Sequence, residues 1–118
     1  MTSYNLGEIA AFSASSAATY APNIMQLKNE HYFAGTPAKA VFTAKAAVTG
    51  FKAALYSDNN AAPTTIVRQA PVGVDLAIGE VVELDIPATL GTYLRAGGSA
   101  SATTGKMDVT IELGEPRP

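Results

Sequence analysis

An all-β fold, an antiparallel β-sandwich with an extended N-terminal arm, is what this sequence predicts, and three observations predict it. Met107, Val109, Ile111 and Leu113 alternate without a break with Lys106, Asp108, Thr110 and Glu112, the pattern of a strand with one buried and one wet face. Seven or eight short segments of this kind follow one another, separated by Gly, Pro and Asn signals. No helical periodicity lies between them, which argues against βαβ units and for a sandwich or barrel.

The elements run as follows. Residues 1–21 form a leader dominated by small residues, Ala10-Ala11-Phe12-Ser13-Ala14-Ser15-Ser16-Ala17-Ala18-Thr19, with no clean periodicity. It reads as an arm, and residues 22–118 as a single sandwich domain. Tyr4, Leu6, Ile9, Phe12 and Tyr20 are too apolar for a solvated tail, so they are the candidate assembly contacts on a neighbouring subunit or on a larger partner surface. Packing of the leader on its own sandwich, over a sheet edge, is the alternative.

Asn23-Ile24-Met25-Gln26-Leu27-Lys28 is a short strand candidate, followed by a break at Gly35-Thr36-Pro37. Ala38 to Thr49 alternates at period two, and Gly50 interrupts it before Phe51, Ala53 and Leu55 resume the pattern. Ser57-Asp58-Asn59-Asn60 supplies a turn. Thr64 to Gln69 is β-branched and closed by Pro71 and Gly73; Val81 to Ile86 follows and Pro87 stops it. Thr92 to Ala96 precedes a loop of small residues, 97–105, and then the terminal strand. The expected buried set is Ala40, Phe42, Leu55, Val82, Leu84, Ile86, Val109 and Ile111.

At 118 residues the chain has the size of one domain. It is 47% hydrophobic and 15% charged, which argues for a packed interior. Twenty-two of its residues are alanine, however, and alanine adds little burial, so the core is thin and assembly with a partner would stabilise it. The net charge is −2 and the eight basic residues are scattered, so nucleic acid is not an expected partner. No cysteine is present, which removes disulfides and thiolate metal sites. Met1 to Asn5 lacks a basic n-region and an apolar run, and no 18-residue apolar stretch occurs, so a protein made in the cytoplasm, with no membrane partner, is expected.

Chemistry-bearing patterns are sparse. His31 is the one histidine, and no G-x-S-x-G elbow accompanies it. Glu80, Glu83 and Asp85 are the nearest approach to paired carboxylates, but their segment has no recognition aromatics and reads as a solvated strand face. Asp58-Asn59-Asn60 lacks calcium-loop spacing, and Gly97-Gly98-Ser99 lacks the Lys-Ser/Thr pair of a phosphate loop. The expectation is therefore no catalytic residue, no cofactor, no metal and no small-molecule substrate, with the aromatics in core or interface.

Three features between Ala38 and Leu113 carry a family likeness: a strand ending in Leu55-Tyr56-Ser57-Asp58, the proline-terminated strand Val81 to Pro87, and Tyr93-Leu94-Arg95 leading through a small-residue loop to the terminal strand. In their order and spacing they resemble the phage capsid cement, or head-decoration, proteins of jelly-roll fold found on short-tailed Bordetella phage heads. The leader before Asn23-Ile24-Met25-Gln26-Leu27 is similar more loosely. The resemblance implies a jelly-roll-like virion protein on the capsid exterior, made in the host cytoplasm. Its partner would be the major capsid protein, whose adjacent subunits a homotrimer would clamp at threefold and quasi-threefold positions. The alternative is a carbohydrate- or receptor-binding β-sandwich module, which would expose clustered aromatics or bind calcium.

Overall fold

A computed structural model describes residues 2–10, 12, 18–26, 38–87, 91–101 and 104–113. Ten strands run through them: β1 (Thr2–Ala10), β2 (Thr19–Tyr20), β3 (Met25–Gln26), β4 (Ala38–Ala46), β5 (Val48–Asp58), β6 (Ile66–Gln69), β7 (Val74–Leu76), β8 (Val81–Asp85), β9 (Tyr93–Ser99) and β10 (Lys106–Leu113). They form two antiparallel sheets. The first has the order β1-β10-β4-β8 and the second β2-β9-β5-β6, with β3 beside β2 on β9 and β7 beside β6 on β5.

Counting β2 with β3 and β6 with β7 as single positions, the early strands pair with the late ones in reverse: β1 with β10, β2/β3 with β9, β4 with β8, β5 with β6/β7. The chain is one long hairpin wrapped into two sheets, which is the wiring of a jelly roll. All-β architecture and the sandwich agree with the sequence reading.

The core lies between the sheets and is built around Phe51. Its ring meets Phe12 edge-on at 5.8 Å and Phe42 at 5.7 Å, and all three are buried. Of the expected buried set, Ala40, Phe42, Leu55, Leu84, Ile86, Val109 and Ile111 are buried, while Val82 is half-buried near the sandwich margin. Period two predicts those on β4, β8 and β10 because these strands pack one face only, whereas Leu55 lies in a stretch of β5 buried on both faces.

The leader is corrected by the structure. Residues 2–10 are not an arm apart from the domain but an integral strand on β10, and Leu6, Ile9 and Phe12 are core residues of their own chain. The division at residue 21 therefore does not hold for them. The cause is a β-bulge: the register slips between Asn5 and Gly7, so Tyr4, Leu6 and Ile9 all face inward although their spacing is two and then three. Gly7 absorbs the extra residue at φ 95°, and a Cβ there would lie 2.5 Å from the Pro22 ring.

Gly50 likewise bends β5 without ending it, by a register slip against β7 between Val48 and Phe51. Gly97 and Gly98, expected in a loop, lie inside β9. A Cβ on Gly98 would lie 2.6 Å from the Phe51 ring, and one on Gly97 would lie 2.7 Å from the Thr19 carbonyl, so glycine here is the condition for close packing. The candidate strand at Asn23 is represented by β3, while Leu27, Lys28 and residues 29–37, with His31, lie outside the described residues. β7 had no counterpart in the sequence reading.

Candidate interaction surface

Two of the three segments singled out in the sequence, Leu55–Asp58 and Tyr93–Arg95, are neighbours. The β5–β9 register sets Tyr56 opposite Arg95, Ser57 opposite Leu94 and Asp58 opposite Tyr93. On the outer face of the second sheet Tyr20, brought in by β2 opposite Gly97, meets Tyr56 edge-on at 5.0 Å. The Arg95 guanidinium lies 3.5 Å from the Tyr20 ring centroid, and its Nε and Nη2 donate to the Pro63 carbonyl at 3.1 and 2.7 Å. Arg95 thus ties three segments together: the end of the leader, β9 and the loop before β6. Burial, with Tyr20 adding to it and Arg95 opposing, pushes the Tyr56 hydroxyl above the usual tyrosine range.

The turn beside this clamp is also fully bonded. Ser57, the buried polar residue of the core, donates its hydroxyl to the Tyr93 carbonyl at 2.7 Å and accepts from the Gly91 N–H at 2.9 Å. Asp58 accepts from the N–H groups of Asn60, Thr64 and Thr65 and from the Thr65 hydroxyl. These bonds, that of Asn60 foremost and that of Thr64 next, hold its carboxyl below the usual carboxylate range. Asn59 accepts from the N–H and hydroxyl of Thr92. The arrangement fixes a loop; no nucleophile and base meet in it.

The five expected contact residues fall in three places. Leu6, Ile9 and Phe12 are in the core, Tyr4 is half-buried against it, and Tyr20 is half-buried on the outer face. Only Tyr20 sits on an outward surface, and one face of its ring is covered by Arg95. Glu83 and Asp85 share the outer face of the first sheet, as expected, and Glu83 pairs with Lys39 at 2.8 Å. Among the described residues no group of three or more His, Cys, Asp or Glu side chains could hold a metal ion, and no helix is long and apolar enough to cross a membrane.

The exposed apolar residues that the sequence reading missed lie elsewhere. Val72 is 64% exposed, Ile78 73% and Val81 51%, with Val74, Ile66 and Ile24 also exposed. All but Ile24, which lies between β2 and β3, belong to β6, β7, β8 or their connections, where the margins of the two sheets adjoin opposite the leader. A signal existed: Val72, Val74, Leu76 and Ile78 alternate at period two, yet only Leu76 of the four is buried. Exposed apolar residues concentrated on one margin mark an interaction surface more often than chance. No protein-family model matches the chain, and no curated protein matches its sequence.

Proposed function

We propose that this chain is a non-catalytic structural protein of a phage virion, which binds the outside of the capsid and cements adjacent major capsid protein subunits. In this reading it acts as a homotrimer at threefold and quasi-threefold positions. The observation that carries the proposal is the junction of Leu55-Tyr56-Ser57-Asp58 with Tyr93-Leu94-Arg95. Two of the three segments on which the resemblance to head-decoration proteins rests are register partners, joined by Tyr20 from the leader. Jelly-roll wiring agrees but does not carry the reading, because that fold serves many functions. The apolar margin at Val72, Ile78 and Val81 supplies surface for a partner.

Purified particles test it. The chain should copurify with intact capsids at a fixed ratio to the major capsid protein and leave them under mild dissociation as a trimer. Its absence from intact particles would exclude the proposal, and its presence as a monomer would exclude the threefold arrangement.

A further inference from the structure

The first sheet has two edges, and they are finished differently. At β1 the edge is capped. The Asn23 N–H donates to the Leu6 carbonyl at 3.1 Å, its side-chain amide donates to the Asn5 carbonyl at 3.3 Å, and the Gly7 N–H is taken by the Asn5 side chain at 2.8 Å. The bulge and the Pro22 ring against Gly7 interrupt the edge at the centre of β1.

At β8 the edge is bare of any other described residue's backbone. The Ile86 N–H donates to the Ala38 carbonyl at 3.1 Å, and the Glu80 carbonyl accepts from the Ala44 N–H at 2.9 Å. Antiparallel pairing alternates, so the even-numbered residues 80–86 turn their backbone groups towards β4. Val81, Glu83 and Asp85 therefore turn N–H and C=O outward, and none of them makes a backbone hydrogen bond to another described residue. All three are exposed.

The side chains around this edge define what fits it. The outer face of the first sheet carries Glu8, Glu83, Asp85, Asp108 and Glu112 against Lys39, Lys45 and Lys106. Its ion pairs are Lys39–Glu83 and Lys45–Asp108, which leaves Asp85 at the margin with no lysine within ion-pair distance among the described residues. Inward of the edge, half-buried Val82 and buried Leu84 form an apolar lip, while exposed Val81 lies on the outer face with Glu83 and Asp85.

We infer that β8 is a strand-addition site for an extended segment of another polypeptide, with basic residues facing Glu83 and Asp85 and alternate apolar residues facing Val82 and Leu84. Main-chain bonds to Val81, Glu83 and Asp85 would supply affinity, and the two side-chain rows would supply selectivity. A second copy of β8 is the poorer occupant, since it would bring Glu80, Glu83 and Asp85 against the same carboxylates. The inference is independent of the capsid reading, because the partner is defined by its chemistry.

The probe is a short peptide alternating lysine with valine, N-methylated along the edge that would face away so that it cannot stack on itself. The control replaces lysine by glutamate. With the full chain and amide-resolved NMR, the lysine peptide should shift the Val81, Glu83 and Asp85 amides and slow their exchange. It should bind at least about tenfold tighter than the glutamate peptide, as expected of two or three favourable cross-strand charge contacts. Glu83→Pro removes an outward N–H that β4 does not use, so the fold should survive and binding should vanish; Asp85→Lys should reverse the preference. Equal binding of both peptides, binding by neither, shifts centred away from β8, or protection of these amides by self-association alone would each overturn the inference.

Discussion

The margin of the sandwich closed by the leader and the margin formed by β6, β7 and β8 are built from similar residues and treated in opposite ways. On the first, Leu6, Ile9, Phe12, Ala21 and Met25 are buried, and Pro22 and Asn23 seal the edge. On the second, Val72, Ile78 and Val81 are exposed, and no described residue caps the β8 edge. A chain this rich in alanine has little apolar volume to spare, so leaving large aliphatic residues exposed on one side is a departure from its own economy of packing. The sealed margin adds buried core, and the other leaves its large aliphatic side chains to solvent among the described residues.

The largest expected effect breaks the sealed margin. Phe12→Ala removes one of the three packed core rings and should cost about 3 to 5 kcal/mol, measured by urea unfolding. A chain lacking residues 2–12 should not fold, because β10 would lose its β1 partner and the core would open. If Phe12→Ala were near neutral, the leader would be an accessory and the contrast between margins would fail.

That prediction also shows what the sequence could reveal. β4, β8 and β10 were legible because each packs one face only, so period two survives in Ala40 to Ala44, Val82 to Ile86 and Met107 to Ile111. β1 was not, because one bulge at Leu6-Gly7 changes the apolar spacing from two to three and disguises a strand as an apolar tail. Gly97-Gly98 was misread for the opposite reason: its glycines serve the ring of Phe51 and the backbone of Thr19, contacts far away in sequence. The bare β8 edge is a property of the sheet order, which no local pattern encodes.

Next in size are two changes within the second sheet. Gly98→Val forces a side chain into the Phe51 ring and should cost about 1 to 3 kcal/mol through overpacking, read as a lowered thermal midpoint. Arg95→Ala removes the stack on Tyr20 and the paired bonds to the Pro63 carbonyl, for about 1 to 2 kcal/mol. Arg95→Lys should restore little, since an ammonium cannot donate from two fixed nitrogens to that carbonyl.

Acid should produce a smaller loss localised to the Asp58 turn. Its carboxyl is held below the usual carboxylate range chiefly by the Asn60 N–H and then the Thr64 N–H, so the folded chain binds its proton less readily than the unfolded chain does. This contribution is fully present above the usual carboxylate range and is lost as the pH falls through the lower folded value. Asp58→Asn should flatten that part of the stability profile below pH ~4, measured by denaturant unfolding at stepped pH.

The smallest expected effect on stability is at the bare margin, and it sharpens the comparison most. Ile78 stands 73% exposed in the turn between β7 and β8, whose backbone is fixed by bonds that do not involve its side chain: Glu80 to the Ala77 carbonyl, Gly79 to the Ala44 carbonyl, and the Ala77 N–H to the Glu80 carboxylate. Ile78→Ser therefore removes apolar surface without opening a cavity or orphaning a polar group, and unfolding free energy should stay within about 0.5 kcal/mol. The same holds for Val72→Ser. If this margin is where a partner docks, the paired variant should keep its unfolding curve and lose occupancy on particles. A control pair on the outer face of the first sheet, Thr43→Ser with Thr110→Ser, should leave both unchanged. Loss of stability in the Ile78 and Val72 variant would mean that these side chains serve the fold after all, and retained occupancy would mean that the bare margin is only bare.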